Sequence, residues 1–177
     1  MTRVLIAGIG NVLMTDDGIG PYCARQLMAG CDFPPDVEVA DLGTPGLDLT
    51  LHLSEADTVI VVDALRDGEP GTLSRYDVDA VSAGAVGIRL ETHSPALAES
   101  IQIARLSGDR PRDVRLIGLT GVSFDHGTTL SLEVRARMPL LIDAVLAELT
   151  GLQARWKRRT PGPAPDVWWE QPALRDA

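Results

Sequence analysis

The chain has 177 residues, with 25 Asp and Glu against 16 Lys and Arg, and therefore a formal net charge of −9. This length fits one domain, and a composition of 45% hydrophobic and 23% charged residues is typical of a globular protein. The acidic balance argues against sequence-independent binding to nucleic acid or to an anionic membrane, and no apolar run is long enough to cross a bilayer. Cys23 and Cys31 form no disulfide framework or zinc pair, and the N-terminus shows no secretory pattern, so we expect a cytoplasmic protein.

Apolar segments flanked by turn residues predict the strands of a sheet. Runs without polar alternation are typical of parallel strands that are covered on both faces. An additional short strand at Gly71–Tyr76 is expected at an edge. The buried strands are predicted at Val4–Ile9, Val37–Ala40, Thr58–Val62 and Val114–Leu119.

Helical spacing and capping residues predict the elements between these strands. The first helix is expected at Ile19–Ala29, and the second begins after a Ser94 cap and ends at Gly108. A third helix begins after Thr129, and Pro139 is expected to kink it or to split it in two. Four alternating leucines at positions 47, 49, 51 and 53 suggest a strand by themselves, but a parallel neighbour requires a crossover, so we predict a helix there.

Strands that alternate with helices predict an α/β fold, a three-layer α/β/α sandwich around a mostly parallel sheet. We assign residues 1–150 to this single domain. Residues 151–177 combine several prolines with Trp168 and Trp169, which predicts an extended or disordered C-terminal tail. Its tryptophans are expected either to be mobile or to dock on the body or on a partner.

The glycine-rich loop after the first strand has two interpretations. Gly8-x-Gly10 is half of a dinucleotide-binding fingerprint, but position 13, where the third glycine belongs, is leucine. Asp41 could be the ribose-binding acid, although it lies about thirty residues on rather than about twenty. A nucleotide-dependent oxidoreductase therefore stays an alternative.

The same loop carries two adjacent acids, Asp16 and Asp17, and further polar residues follow other elements. Asp63 ends the third strand, and His93 precedes the second predicted helix. Ligands of open α/β sheets bind beyond the carboxyl ends of the strands, where Asp17, Asp63 and His93 could converge on a divalent metal. Each also has a structural interpretation: a helix cap for Asp17, a turn for Asp63 and a surface position for His93.

The remaining candidates are interpreted as structural. His126 is expected in a turn, His52 on a helix surface and Cys23 in the core.

The ordered set of motifs resembles the [NiFe]-hydrogenase maturation endopeptidases over about residues 3–150. The matching segments are 8–13, 16–20, 41–49, 61–64, 70–73, 92–99 and 127–131. The resemblance implies a twisted, mixed sheet of five strands in which the strand at Gly71–Tyr76 runs against the others. Two departures affect substrate choice: Ser94-Pro95-Ala96 after His93, and the tail after Gly151.

The resemblance also implies an activity. Members of this family remove a C-terminal peptide from the [NiFe]-hydrogenase large-subunit precursor after nickel insertion. Their metal-contacting positions match Asp17, Asp63 and His93, and the nickel would come with the substrate, with other divalent metals able to substitute. Asp16 neighbours this site, and the resemblance assigns it no settled role; in our own hypothesis its free carboxylate could serve as the general base of peptide hydrolysis. We expect a monomer, because no spare apolar helix face is evident.

Other functions use the same residues. A metallochaperone or assembly module would bind nickel through the same three donors without cleaving a peptide. An aspartate-dependent protease would use Asp16 and Asp17 without any metal.

Overall fold

The computed structural model describes residues 2–46, 48–78, 95–108 and 110–170. The strands are β1 (Val4–Ile9), β2 (Cys31–Asp32), β3 (Val37–Gly43), β4 (Thr58–Leu65), β5 (Leu73–Asp77), β6 (Asp113–Thr120) and β7 (Lys157–Arg158). The helices are α1 (Ile19–Gly30), α2 (Leu49–Ser54), α3 (Pro95–Gly108) and α4 (Leu132–Gly151), with short 3-10 turns at Thr15–Gly18 and Trp168–Glu170. None of the helices within these ranges is long and apolar enough to span a membrane.

Five strands form the main sheet in the order β3-β1-β4-β6-β5. The first four are parallel, and β5 pairs antiparallel with β6 at the edge. The chain moves from β1 outward to β3 and then returns to the other side of β1 for β4, so the direction of strand order reverses at β1. This reversal brings the carboxyl ends of β1, β3 and β4 together, which is where ligands bind in such sheets.

Two hydrophobic cores cover the two faces of the sheet. Ile6, Ile60 and Ile117 pack on one face against α1 and α4. Leu5, Val61, Val114 and their neighbours pack on the other face against α2 and α3. Because successive strand residues point to opposite faces, the apolar runs of β1, β4 and β6 contribute to both cores. The predicted three-layer sandwich is confirmed.

The four predicted parallel strands and the antiparallel edge strand are all present. The alternating leucines belong to a helix, as predicted: Leu49 and Leu53 are fully buried, whereas Leu51 is 69% exposed. A separation of four residues places Leu49 and Leu53 on one helix face. The predicted split at Pro139 is wrong, since α4 continues through this residue, which is exposed on the helix surface.

The C-terminal tail follows α4 and lies along the body as far as Glu170. β7 pairs antiparallel with β2 at the end of α1. Farther along, Trp169 is buried with its ring edge-on to Tyr22 at 5.1 Å between centroids, whereas Trp168 is 55% exposed. The described part of the tail therefore packs on the body through this strand pair and through one of its two tryptophans.

Candidate active site

A cavity of about 120 Å³ opens at the carboxyl ends of β1, β3 and β4. Two acids, Asp17 and Asp63, contribute to its lining. The complete lining is Ile9, Gly10, Asp17, Gly43, Thr44, Pro45 and Asp63. The parallel register explains the assembly, because Ile9 pairs with Gly43 while the preceding Gly8 pairs with Val62.

Asp17 reaches the cavity from the 3-10 turn between β1 and α1. Its side chain is 7% exposed, and Oδ2 accepts a hydrogen bond of 3.0 Å from the backbone N–H of Asn11. Gly10 makes this close approach possible. A Cβ on Gly10 would lie 1.8 Å from the carbonyl oxygen of Asp17, and its φ of +135° is unfavourable for residues with side chains.

Asp63 reaches the cavity from β4 and is 5% exposed. Burial raises the pKa of its carboxyl to about 8, and the nearby charge of Asp17 adds to the rise. The backbone N–H of Ala64, which donates to Oδ1 at 2.8 Å, and the charge of Arg66 both act in the opposite direction on this pKa. A buried acid with a raised pKa that shares a cavity with a second acid is a candidate functional residue, because active sites often shift pKa values through burial and neighbouring like charges.

The two acids together supply hard oxygen donors to one cavity. Carboxylates suit divalent first-row metals, and a cation would offset both the burial and the Asp17 charge that raise the pKa of Asp63. Within the described ranges, no three His, Cys, Asp or Glu side chains cluster closely enough to hold a metal ion. His93, the third donor expected from the sequence, lies outside the described residues.

Asp16 differs sharply from its neighbour Asp17. It is fully buried, and it is not among the residues that line the cavity. Its Oδ2 accepts backbone N–H bonds from Val122 at 2.8 Å and Ser123 at 3.1 Å, and its Oδ1 accepts one from Ser131 at 2.7 Å. The expectation of a free carboxylate at Asp16 is therefore not met.

The other candidates lie away from the cavity lining. His126 is exposed in a loop, His52 is exposed on α2 and Cys23 is fully buried in the core, as expected. Asp41, the alternative ribose-binding acid, accepts hydrogen bonds from Arg25 at 2.8 Å and from the backbone N–H of Gly43 at 3.2 Å.

Sequence reasoning missed one wall of the cavity, the segment Gly43–Pro45 at the end of β3. Thr44 and Pro45 are not predicted as site residues, although the rule that ligands bind beyond the carboxyl ends of strands applies equally to β3. It also missed Arg66, whose guanidinium carbon lies 3.9 Å from the ring centroid of Phe124 and which connects the end of β4 to the loop after β6.

Comparison with known proteins identifies the family. The family described as hydrogenase maturation protease matches residues 21–148. The chain is 34% identical over 149 residues to the hydrogenase expression/formation protein HupM of Azotobacter chroococcum mcd 1. The aligned region covers 83% of this chain and 71% of the relative. The chain belongs to the hydrogenase maturation protease family.

Further relatives agree with this assignment and with the fold. The hydrogenase 2 maturation protease of Escherichia coli strain K12 is 30% identical over 156 residues, covering 86% of this chain and 94% of the relative. The structure of the hydrogenase maturating endopeptidase HybD from E. coli superposes with a TM-score of 0.81 at 28% identity, covering 90% of this chain and 99% of that chain. This hydrogenase maturation protease is therefore a peptidase with a mixed five-stranded sheet.

Proposed function

We propose that this peptidase removes the C-terminal extension of a [NiFe]-hydrogenase large-subunit precursor after nickel has been inserted. In this proposal, Asp17, Asp63 and His93 recognise the nickel that the precursor carries. The observation that supports it is the meeting of Asp17 and Asp63 in one cavity at the switch point of the sheet.

The size of the cavity favours a metal centre that the substrate presents. A volume of about 120 Å³ accommodates an ion with a few ligand atoms, but it is too small for a folded segment of polypeptide. The precursor would therefore hold nickel with its own ligands and present the open coordination positions to the two acids. An empty precursor would lack this anchor, so cleavage would follow metal insertion.

The residues of this chain would act mainly by binding and orienting. Asp17 and Asp63 would fix the nickel, and with it the scissile bond, relative to the rim of the sheet. Bound nickel would supply Lewis-acid polarisation of the scissile carbonyl or serve only as a recognition group. The raised pKa of Asp63 implies that a proton leaves this carboxyl when the cation binds.

Incubation with precursor tests the proposal directly. Nickel-loaded and nickel-free large-subunit precursors are each mixed with the protein, and mass spectrometry reports loss of the C-terminal peptide. We expect trimming of the nickel-loaded form only. Equal trimming of both forms would exclude metal-guided recognition, and nickel binding without any trimming would favour an assembly module.

Location and oligomeric state form a second part of the proposal. We place the activity in the cytoplasm, which agrees with Cys23 and Cys31 both being buried free thiols. We also propose that the protein works as a monomer, which size-exclusion chromatography with light scattering would test.

A further inference from the structure

We propose that Asp16 is a positioning residue of this protease, which holds Asp17 in the cavity and takes no part in proton transfer. The inference rests on the proposed function of Asp17 and adds a residue to that site. It assigns different tasks to two acids that are adjacent in the chain.

The hydrogen bonds of Asp16 join three segments at the carboxyl edge of the sheet. Its own turn follows β1, Val122 and Ser123 follow β6, and Ser131 caps α4. All three bonds come from backbone N–H groups at 2.7 to 3.1 Å. Hydrogen bonds to a carboxylate are among the stronger ones in proteins, so this carboxylate fixes the turn against two other elements.

The backbone of the turn needs such restraint. Thr15, one residue before Asp16, has a φ of +44°, which is unfavourable for a β-branched residue. Its N–H donates to Gly127 at 2.8 Å, and its hydroxyl donates to the carbonyl of Ser123 at 2.6 Å. Strained residues persist where the surroundings hold them, and they are concentrated at functional sites.

Packing leaves this turn little room to shift. A Cβ on Gly127 would lie 2.7 Å from Cγ2 of Thr15, and one on Gly10 would overlap the carbonyl of Asp17. The turn is therefore held between the end of β1 and the loop after β6. Removing the hydrogen bonds of Asp16 would free the turn from the loop after β6 and change the direction of the Asp17 carboxylate.

A role in proton transfer fits this geometry poorly. Both carboxylate oxygens of Asp16 accept backbone N–H bonds, and the side chain is fully buried. A general base must lie within hydrogen-bond reach of the proton that it removes. Asp17 and Asp63 line the cavity, whereas Asp16 does not.

The first test replaces Asp16→Asn, which keeps the shape but places an amide NH₂ against backbone N–H donors. We expect kcat/KM for the nickel-loaded precursor to fall about 100-fold, with KM rising, because misplacement of about 1 Å is enough for such a loss. Hydrogen exchange at the Asn11 amide, which donates to Asp17, should become faster, while the Arg3 amide at the other end of the sheet keeps its rate. Asp125→Asn is the matched control, since Asp125 is an exposed acid on the loop after β6 that also contains Val122 and Ser123.

Two results of this test would overturn the inference. One is an unchanged kcat/KM with unchanged exchange at Asn11. The other is a fall in kcat alone, with KM and the exchange at Asn11 unchanged, which would mean that Asp16 acts on the reacting atoms. A wild-type protein that cleaves no precursor would instead contradict the proposed function.

A second pair of variants leaves Asp16 intact, in case Asp16→Asn does not fold. Ser131 has a φ of −55°, which proline adopts readily, so Ser131→Pro removes the N–H that donates to Asp16. Ser131→Ala is its control, because both changes remove the side-chain cap on Val134. We expect Ser131→Pro to lower kcat/KM about 10-fold relative to Ser131→Ala, since one hydrogen bond to a charged group is lost. Equal kcat/KM values in these two variants would contradict the positioning role.

Discussion

The two ends of the sheet treat their acids differently. At the amino end, Asp57 accepts the backbone N–H of Arg3 at 2.9 Å and pairs with Arg110 at 3.1 Å. At the carboxyl end, Asp63 faces Asp17, and burial raises its pKa to about 8. Asp57 at the amino end is thus neutralised within the chain, whereas Asp17 and Asp63 at the carboxyl end line a cavity where we propose that they receive a cation. In our proposal, this difference separates a structural acid, Asp57, from a functional one, Asp63.

Exchanging one acid at each end gives the largest contrast. We expect Asp63→Asn to lower cleavage of the nickel-loaded precursor by at least about 1,000-fold, because an amide is a poor metal ligand compared with a carboxylate. Asp57→Asn should leave cleavage unchanged and destabilise the fold by about 1 kcal/mol through its weakened ion pair. Mass spectrometry and urea titration measure the two effects. Loss of cleavage in both variants would refute the functional difference between the ends.

The tail provides a second contrast, outside both ends of the sheet. Trp169→Ala should destabilise the protein by about 3 kcal/mol, because a large buried side chain is lost from the core. Trp168→Ala, at a 55% exposed position, should cost less than about 0.5 kcal/mol. Urea denaturation of both variants checks the pair, and equal losses would show that the tail does not dock through Trp169.

The pH dependence of metal affinity sharpens the comparison further. Because Asp63 has to lose its proton to bind a cation, nickel affinity should rise by about tenfold per pH unit up to about pH 8 and then level off. Calorimetry in buffers of different ionisation enthalpy would detect the released proton. Asp57→Asn should show the same change of nickel affinity with pH as the wild-type protein. A nickel affinity that does not change with pH would contradict the prediction.

The last prediction concerns the stability of the protein without metal. The folded protein keeps the Asp63 proton up to about pH 8, whereas the unfolded chain loses it near 3.8. The folded state thus binds more protons in this window, so the contribution of Asp63 to the free energy of unfolding falls as pH rises from about 4 to about 8. With a chelator present, the stability of Asp63→Asn relative to wild type should increase across the same range. A constant difference would mean that Asp63 titrates alike in both states.

Much of the fold could be predicted from the sequence, because the central strands contain apolar runs and the helices carry apolar residues at helical spacing. β1 has the predicted bounds, and α2 was found by combining the leucine pattern with the need for a crossover. The shared cavity of Asp17 and Asp63 also agrees with the prediction, since carboxyl ends of neighbouring parallel strands meet.

Other features depend on geometry that no local pattern encodes. Asp16 and Asp17 look equivalent in the sequence, and which of them faces the cavity depends on the turn that begins at Thr15. The docking of Trp169 against Tyr22 depends on a contact between residues 147 positions apart, since 169 − 22 = 147. Pro139 leaves α4 unbroken because packing of the buried face outweighs the lost backbone bond.

The tight fit of Gly10 against Asp17 has a consequence for the range of ions that the cavity could admit. Strand β1 and the turn after it are in such close contact at Gly10 and Asp17 that neither can move toward the other to make space. Widening for a larger cation would then involve the segment after β3, where Thr44 and Pro45 line the cavity. Selectivity by ionic radius would then be set by how far that segment yields, and replacing Pro45 is the direct way to alter it.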